Sequence, residues 1–348
     1  MAYTTIDNPT DYFNTVLYTG NETARDITTG LTSTDWVWIK RRDGTANHRI
    51  FDVVRGVHEN LQSNTSNAEQ NNTQSLTAFG TSTFSLGTDS GGYDVNTNSQ
   101  TYVSWNWSAG GSASSNSNGS ITSSVSANTT AGFSIVGYTG TGANASVGHG
   151  LGTAPDCIIV KRREDAGRGW WVYHKDLGAT KAIYLHDTAA SFTNDWLQDT
   201  APTNSVFTLD NNGDTNGSSK THIAYCFVEK KGYSKFGSYT GNGSTDGTFV
   251  YTGFKPAWVM TKRTSSSATG WVLMDNKRET FNDGATNYLI ANTSVAETDS
   301  SFAVDFLSNG FKPRTNSGGT NTSGATYIFM AFAEAPFVSS GGIPTTAR

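Results

Sequence analysis

Three runs of basic residues occupy matching places in the chain: Lys40, Arg41 and Arg42; Lys161, Arg162 and Arg163; Lys262 and Arg263. Each closes an apolar run, Trp36-Val-Trp-Ile, Cys157-Ile-Ile-Val or Ala257-Trp-Val-Met. The planar fork of arginine suits carboxylates and sulfates, so these residues could meet an acidic partner surface or an anionic glycan. The ordinary alternative is that they cap a buried strand and pair with nearby Asp or Glu. Aromatic clusters follow the basic runs: Gly169-Trp-Trp-Val-Tyr-His174 and Gly270-Trp-Val-Leu-Met-Asp275. The first copy holds His48-Arg-Ile-Phe-Asp52 at that place, without tryptophan. An exposed aromatic face stacks on the C–H face of a pyranose; a buried one packs a core. Trp170 and Trp171 are adjacent, so a strand sends them to opposite faces. One of the pair is expected in the core and the other at a ligand, with His174 and Trp271 as further contact candidates.

Other chemistry is scarce. There is no Gly-x-Ser-x-Gly elbow, no His-Glu-x-x-His and no phosphate-cradling Gly-x-x-x-x-Gly-Lys-(Ser/Thr). The histidines His48, His58, His149, His174, His186 and His222 do not recur at equivalent places in sequence. The reading is therefore non-enzymatic, with no catalytic residue, no cofactor and no metal. Asp210-Asn-Asn-Gly-Asp-Thr-Asn-Gly217 has the oxygen content of a calcium loop, but Ile223 stands where the twelve-residue pattern needs Glu. An Asn/Gly turn is the expectation. Cys157 and Cys226 lack CxxC spacing and are expected reduced and buried. Glycosidase carboxylates obey no spacing rule, so a polysaccharide depolymerase stays among the alternatives.

Composition sets the scaffold. The 348 residues hold 50 Thr, 38 Ser, 29 Asn and 37 Gly, and only 15% are charged, against ~25% in ordinary domains. Aromatics reach 12%, with nine Trp, which is unlike a disordered chain. The net charge of −5 speaks against phosphate-backbone binding, so no nucleic-acid partner is expected. No apolar stretch reaches about 18 residues, so no membrane insertion is expected. The segment from Met1 to Thr10 lacks the basic-then-apolar order of a signal peptide. Asn-x-Ser/Thr triplets at Asn21, Asn128, Asn144 and Asn242 then read as turn and strand chemistry.

One order of motifs appears three times. A strand ending in Tyr-Thr-Gly comes first, then the basic-ended apolar strand, then Thr101-Tyr-Val-Ser-Trp-Asn-Trp107, Thr221-His-Ile-Ala-Tyr-Cys-Phe227 or Thr326-Tyr-Ile-Phe-Met-Ala-Phe332. The Tyr-to-Lys spacings are 22, 23 and 23; the Tyr-to-closing-Thr spacings are 83, 83 and 87. The fold expected is all-β: three tandem β-sandwich repeats, jelly-roll or concanavalin-like, over 1–108, 133–228 and 235–338. Residues 109–132, nearly all Gly, Ala, Ser, Asn and Thr, read as a linker, and 339–348 as a C-terminal tail. The unbroken apolar runs demand cover on both faces of their strands. Arg55 to Gln62 is the best helix candidate. The unequal connections speak against a pseudo-threefold monomer; a homo-oligomer is among the readings, as a trimer, which suits attachment at threefold or sixfold positions, or through a heterologous contact.

Phe133-Ser-Ile-Val-Gly-Tyr-Thr-Gly-Thr-Gly142, Gly148-His-Gly-Leu-Gly-Thr-Ala-Pro-Asp-Cys-Ile-Ile-Val-Lys-Arg-Arg163 and Tyr327-Ile-Phe-Met-Ala-Phe-Ala-Glu-Ala-Pro-Phe337 together resemble a repeat found in structural proteins of marine tailed bacteriophages, those infecting cyanobacteria and other ocean bacteria. The resemblance covers most of the chain. It implies a virion protein of the tail fibre or tail-tip class, assembled in the host bacterial cytoplasm, with other virion proteins and host surface polysaccharide as partners. It carries no catalytic residues over. The absence of a long shaft makes a head-decoration or cement protein the alternative.

Overall fold

Short segments rich in Val, Ile, Trp, Tyr and Thr, punctuated by Asn and Gly, become antiparallel strands throughout the computed structural model, which describes residues 3–299 and 302–346. The fold is all-β and of sandwich type. Its sheets come in three pairs, of six and three strands, eight and two, and five and three. Each large sheet contains the same four neighbours. An opening strand (Phe13–Thr19, Phe133–Thr139, Ser234–Thr240) pairs with a closing strand (Thr101–Trp107, Thr221–Phe227, Thr326–Pro336). The closing strand pairs with a basic strand (Trp36–Arg41, Cys157–Arg162, Phe254–Arg263), and that with a fourth strand (Arg49–Asp52, Trp170–His174, Val272–Asp275).

The large sheets are buried on both faces, as the unbroken apolar runs demand. Val37 and Ile39 face a private core with Phe84 and Leu86, under the small sheet of their own unit. Trp36 and Trp38 face the other way, into one core shared by all three units. Ile158 and Val160 are likewise private, while Cys157 and Ile159 are shared. Trp107, Trp258 and Phe332 meet in that shared core, with Trp36, Phe133 and Phe227 beside them. The three large sheets thus close around a pseudo-threefold axis.

This arrangement corrects the reading of the connections. Residues 109–132 are not a free linker: Ser114–Asn116 and Ser123–Asn128 are strands that extend the second large sheet beyond its opening strand. Val125 sits opposite Val136 and, with Ile121, enters the second private core. Two inward apolar side chains and a backbone ladder anchor a segment whose composition alone reads as coil. The extra length is taken up there, so unequal connections do not prevent pseudo-threefold closure. Gly56–Leu61 is a strand rather than a helix. Of the expected tail 339–348, the last two residues lie outside the description; Ser340 N–H donates to Asp7 at 2.6 Å.

The Tyr-Thr-Gly motif has a local cause. The hydroxyls of Tyr18, Tyr138 and Tyr239 donate to the carbonyls of Val95, Thr215 and Thr320. The next residue in each loop is Asn96, Asn216 or Asn321, buried, whose amide bridges two loops by donating to backbone carbonyls and accepting a backbone N–H. A Cβ on Gly20, Gly140 or Gly241 would stand 2.1, 2.5 or 2.3 Å from a backbone oxygen, so close approach requires glycine there.

Candidate functional site

The basic residues divide by position. Lys40, Lys161 and Lys262 are fully buried. Each ammonium donates to backbone carbonyls: Lys40 to Arg41 at 2.6 Å, Lys161 to Arg168 at 2.8 Å, Lys262 to Thr269 at 2.6 Å and Thr188 at 3.0 Å. Burial pulls each down to about 8. None of the three can reach a glycan or a partner as the sequence suggested. The next residue faces local partners: Arg41 meets Asp43 and Asp94, Arg162 is buried against Gly213 O and Asp165, and Arg263 reaches Ser265.

The third basic residue reaches across a unit boundary. Arg163 of the second unit binds Glu69 of the first at 2.5 Å, and Glu69 binds Arg55 at 2.9 Å. Arg55 Nε donates to Asp52 at 2.5 Å, and the same carboxylate oxygen accepts the hydroxyl of Tyr225, from the second unit, at 2.8 Å. Arg55 and Arg163 hold Glu69 below the usual carboxylate range against the opposing effect of burial. The junction of the third unit with the first repeats this. Arg42 binds Glu297 at 2.7 Å, Glu297 binds Arg278 at 3.0 Å, Arg278 binds Asp275 at 2.6 Å, and Trp105 Nε1 donates to Asp275 at 2.9 Å.

The remaining junction, second to third, has the same backbone and different chemistry. Ser191 N–H donates to Thr264 O, as Glu69 N–H does to Arg163 O and Glu297 N–H to Arg42 O. His174 stands where Asp52 and Asp275 stand: its Nδ1 accepts the Asp176 N–H, as those carboxylates accept Val54 and Lys277. Its Nε2 then carries the proton and donates to Phe329 O at 3.2 Å. Leu177 replaces the arginine and packs on the shared core. Burial lowers His174 to about 4.

The tryptophans complete the ring of junctions. Trp170 Nε1 donates to Gln62 O of the first unit, and Trp271 Nε1 to Tyr184 O of the second, both at 2.8 Å. His48 does the same toward Ile290 O of the third at 3.1 Å. Trp38 Nε1 donates to His48 Nδ1, which fixes the proton on Nε2. His48, which the sequence places where the other copies have tryptophan, therefore does the same work in the first copy, a role the residue types concealed. Trp170 and Trp171 do point to opposite faces, but both are buried, in the shared and second private cores. The exposed member of that pair does not exist, and Trp271 and His174 are buried too. Of the sequence candidates, Trp170, His174, Trp271, Arg42, Arg163 and Lys262 come to the seams between units, while Trp171, Lys40, Lys161, Arg41, Arg162 and Arg263 serve their own unit.

The Asp210–Gly217 segment spends its oxygens internally: Asp214 meets Arg168 and Trp171 Nε1, and Asn212 caps the short helix. Among the described residues no group of three or more His, Cys, Asp or Glu gathers as for a metal. Cys157 and Cys226 are buried free thiols, pushed up by desolvation. No helix of the described residues is long and apolar enough to cross a membrane. Exposed aromatics lie elsewhere, at Phe249, Tyr251 and Phe281, which no repeated motif marks.

Neither the curated proteins nor the solved structures contain a match to this chain. A family described as a domain of unknown function (DUF7483) matches residues 8–336, nearly the whole chain, and the chain belongs to that family.

Proposed function

We propose that this chain is a non-enzymatic structural subunit of a virion, of the tail fibre or tail-tip class, which touches host surface glycan. The resemblance of its motifs to marine phage structural repeats supplies the class. The observation that carries the reading is the fate of the repeated residues: aromatic and basic positions alike are spent inside the protein, some within their own unit and some, such as Trp170, Trp271, Arg42 and Arg163, on joining three units around one shared core. A particle component under load needs that joining. Contact then falls to the divergent surface. Phe281, 71% exposed, is the most outward of the exposed aromatics, and Asn282 beside it both donates to and accepts from the Phe306 backbone, at 3.0 and 2.9 Å. A ring held outward by a pinned loop suits stacking on a sugar.

Immunogold labelling of intact particles tests the class, and competition of adsorption by purified protein tests the contact. Label at the tail, and competition that Phe281→Ser abolishes, are the expected results. Label spread over the head would instead favour the cement reading, for which the pseudo-threefold arrangement is the supporting observation. Absence of label from purified virions would overturn both, and release of reducing ends from host polysaccharide would establish a depolymerase.

A further inference from the structure

The three units differ at one edge. The opening strand is a large-sheet edge in the first and third units, whereas in the second it is covered by Ser123–Asn128. Ladder phase fixes which groups face outward. Gly241 N–H donates to Ala325 O and Ala333 N–H to Tyr233 O, so odd-numbered residues of the third opening strand face the closing strand. The N–H and C=O groups of Phe236 and Ser238 point away from it. They correspond to Ile135 and Gly137, which face Ser126 and Ser124 of the covering strand.

The wall beside this edge differs in the same way. Val147 pairs with Phe207 in the second unit, and Val250 with Phe311 in the third. Ser146 and Gly148 therefore correspond to Phe249 and Tyr251. In the second unit the covering segment lies directly on these small residues: a Cβ on Gly148 would meet Asn116 Oδ1 at 2.0 Å, and Ser123 Oγ donates to Gly148 O. In the third unit the two positions are aromatic, 45% and 52% exposed, and flank a groove of about 330 Å³ whose floor is residues 235–239. Its far wall is Lys175 and Asp176. The first unit is different again: Asp26 and Thr28 stand at these positions, and Arg25 lies over the Tyr18 ring and donates to Thr19 O.

We propose that this groove is a strand-addition site for an extended peptide of another protein. The segment Ser123–Asn128 on the second unit shows the chemistry of its occupant. It is an uncharged strand of small and hydroxyl residues, pairing antiparallel with the edge and turning two aliphatic side chains, Val125 and Ala127, inward. Backbone hydrogen bonds to Phe236 and Ser238 supply affinity, and Phe249 and Tyr251 close over the strand. The outward groups at the ends of this edge are used, Ser234 N–H by Lys230 O and Thr240 O by the Thr248 hydroxyl, which leaves Phe236 and Ser238 bare at its middle; beside two exposed aromatics that stretch is otherwise an aggregation liability. The proposal does not depend on the virion reading.

The test uses the full chain and a labelled peptide of residues 113–131, which holds the strand that covers the matching edge of the second unit. Fluorescence anisotropy should show saturable binding, and hydrogen exchange should slow at Phe236 and Ser238 and not at residues 133–139. Ser238 is exposed and its N–H faces outward, so Ser238→Pro keeps the internal ladder. It should weaken the peptide roughly tenfold. Tyr251→Ser, a surface change, should weaken it without altering thermal unfolding. No binding at millimolar peptide, binding indifferent to both variants, or protection at 133–139 instead would each overturn the proposal. So would dimerisation of the protein alone that Ser238→Pro dissolves, which would make a second copy the occupant.

Discussion

The junction between the first and second units and the junction between the second and third share a backbone and share almost no chemistry. At one, Asp52, Arg55, Glu69 and Arg163 form a chain of charge that ends on Tyr225. At the other, His174, Leu177, Ser191 and Thr264 occupy the corresponding places, and Met330 stands where Tyr225 does. Every change agrees with its neighbours: the acceptor carboxylate disappears together with its donor hydroxyl, and the arginine together with both of its acids. A buried guanidinium or carboxylate that loses its partner incurs a large desolvation cost, so the relay is kept whole or lost whole. The difference teaches that the relay is one solution to a polar seam and that the fold does not require it.

The largest expected effect comes from breaking the charged junction in one place. Asp52→Ala leaves the fully buried guanidinium of Arg55 with one carboxylate, Glu69, in place of two and takes the acceptor from the buried Tyr225 hydroxyl, and should lower unfolding free energy by about 3–5 kcal/mol in urea titrations. Replacing the whole set should not. A variant carrying Asp52→His, Arg55→Leu, Glu69→Ser, Arg163→Thr and Tyr225→Met transplants the neutral junction. It should be neutral, or more stable than the parent by roughly 1–4 kcal/mol. A quintuple variant as unstable as Asp52→Ala would show that the two seams are not interchangeable.

This pairing also explains what could be read from the residues. The basic run at 161–163 and the acid at 69 are legible as residue types, but their meeting depends on pseudo-threefold closure. That closure was hidden because the 109–132 segment resembles a linker. Its two strands hold by a backbone ladder, with Val125 and Ile121 as their apolar anchors, and a ladder leaves no trace in composition. The strands themselves were legible, since Trp36-Val-Trp-Ile has no polar face to offer water. The tryptophans were harder: alternation correctly separated Trp170 from Trp171, but it cannot distinguish water from a neighbouring unit on the second face. The alignment put His48 at the tryptophan position, but its role escaped because its ring N–H does the work of an indole with a different residue type. The groove beside Phe249 and Tyr251 escaped because its meaning lies in a difference between units, and repetition was the signal being followed.

Acid should separate the junctions next. Burial holds His174 at about 4, below its ordinary 6.5, so the folded state favours the neutral ring. Between those values the unfolded chain binds the extra proton. The stability from this group is complete above pH 6.5 and lost as pH falls through 4. At ~1.36 kcal/mol per unit this amounts to about 3 kcal/mol. His48, His149, His186 and His222 are lowered by burial as well, so the check is a difference. His174→Gln, whose amide keeps a donor toward Phe329 O, should remove about one proton from the pH dependence of unfolding free energy in that window. Glu69, held low, yields only below its ordinary 4.5, so the neutral seam should fail before the charged one as pH falls.

The smallest effect is the most direct probe of the outer part of the relay. Thr264→Arg with Ser191→Glu installs the residue types found at the corresponding places of the other two junctions. Only the outer pair is added, while Leu177 and His174 stay beneath it. In the parent pair Arg163 is 25% exposed and Glu69 11%, so water already reaches the cation. A pair of that kind repays little beyond the entropy of holding two long side chains. A double-mutant cycle should give a coupling of roughly 0.2–1 kcal/mol. The introduced carboxylate lacks the second arginine that Glu69 has in Arg55, which pushes the value toward the lower end. A coupling several times larger would mean that the outer ion pair, and not the buried Asp–Arg contact beneath it, carries the charged seams. The penalty predicted for Asp52→Ala would then have to be reassigned to Arg163 and Glu69.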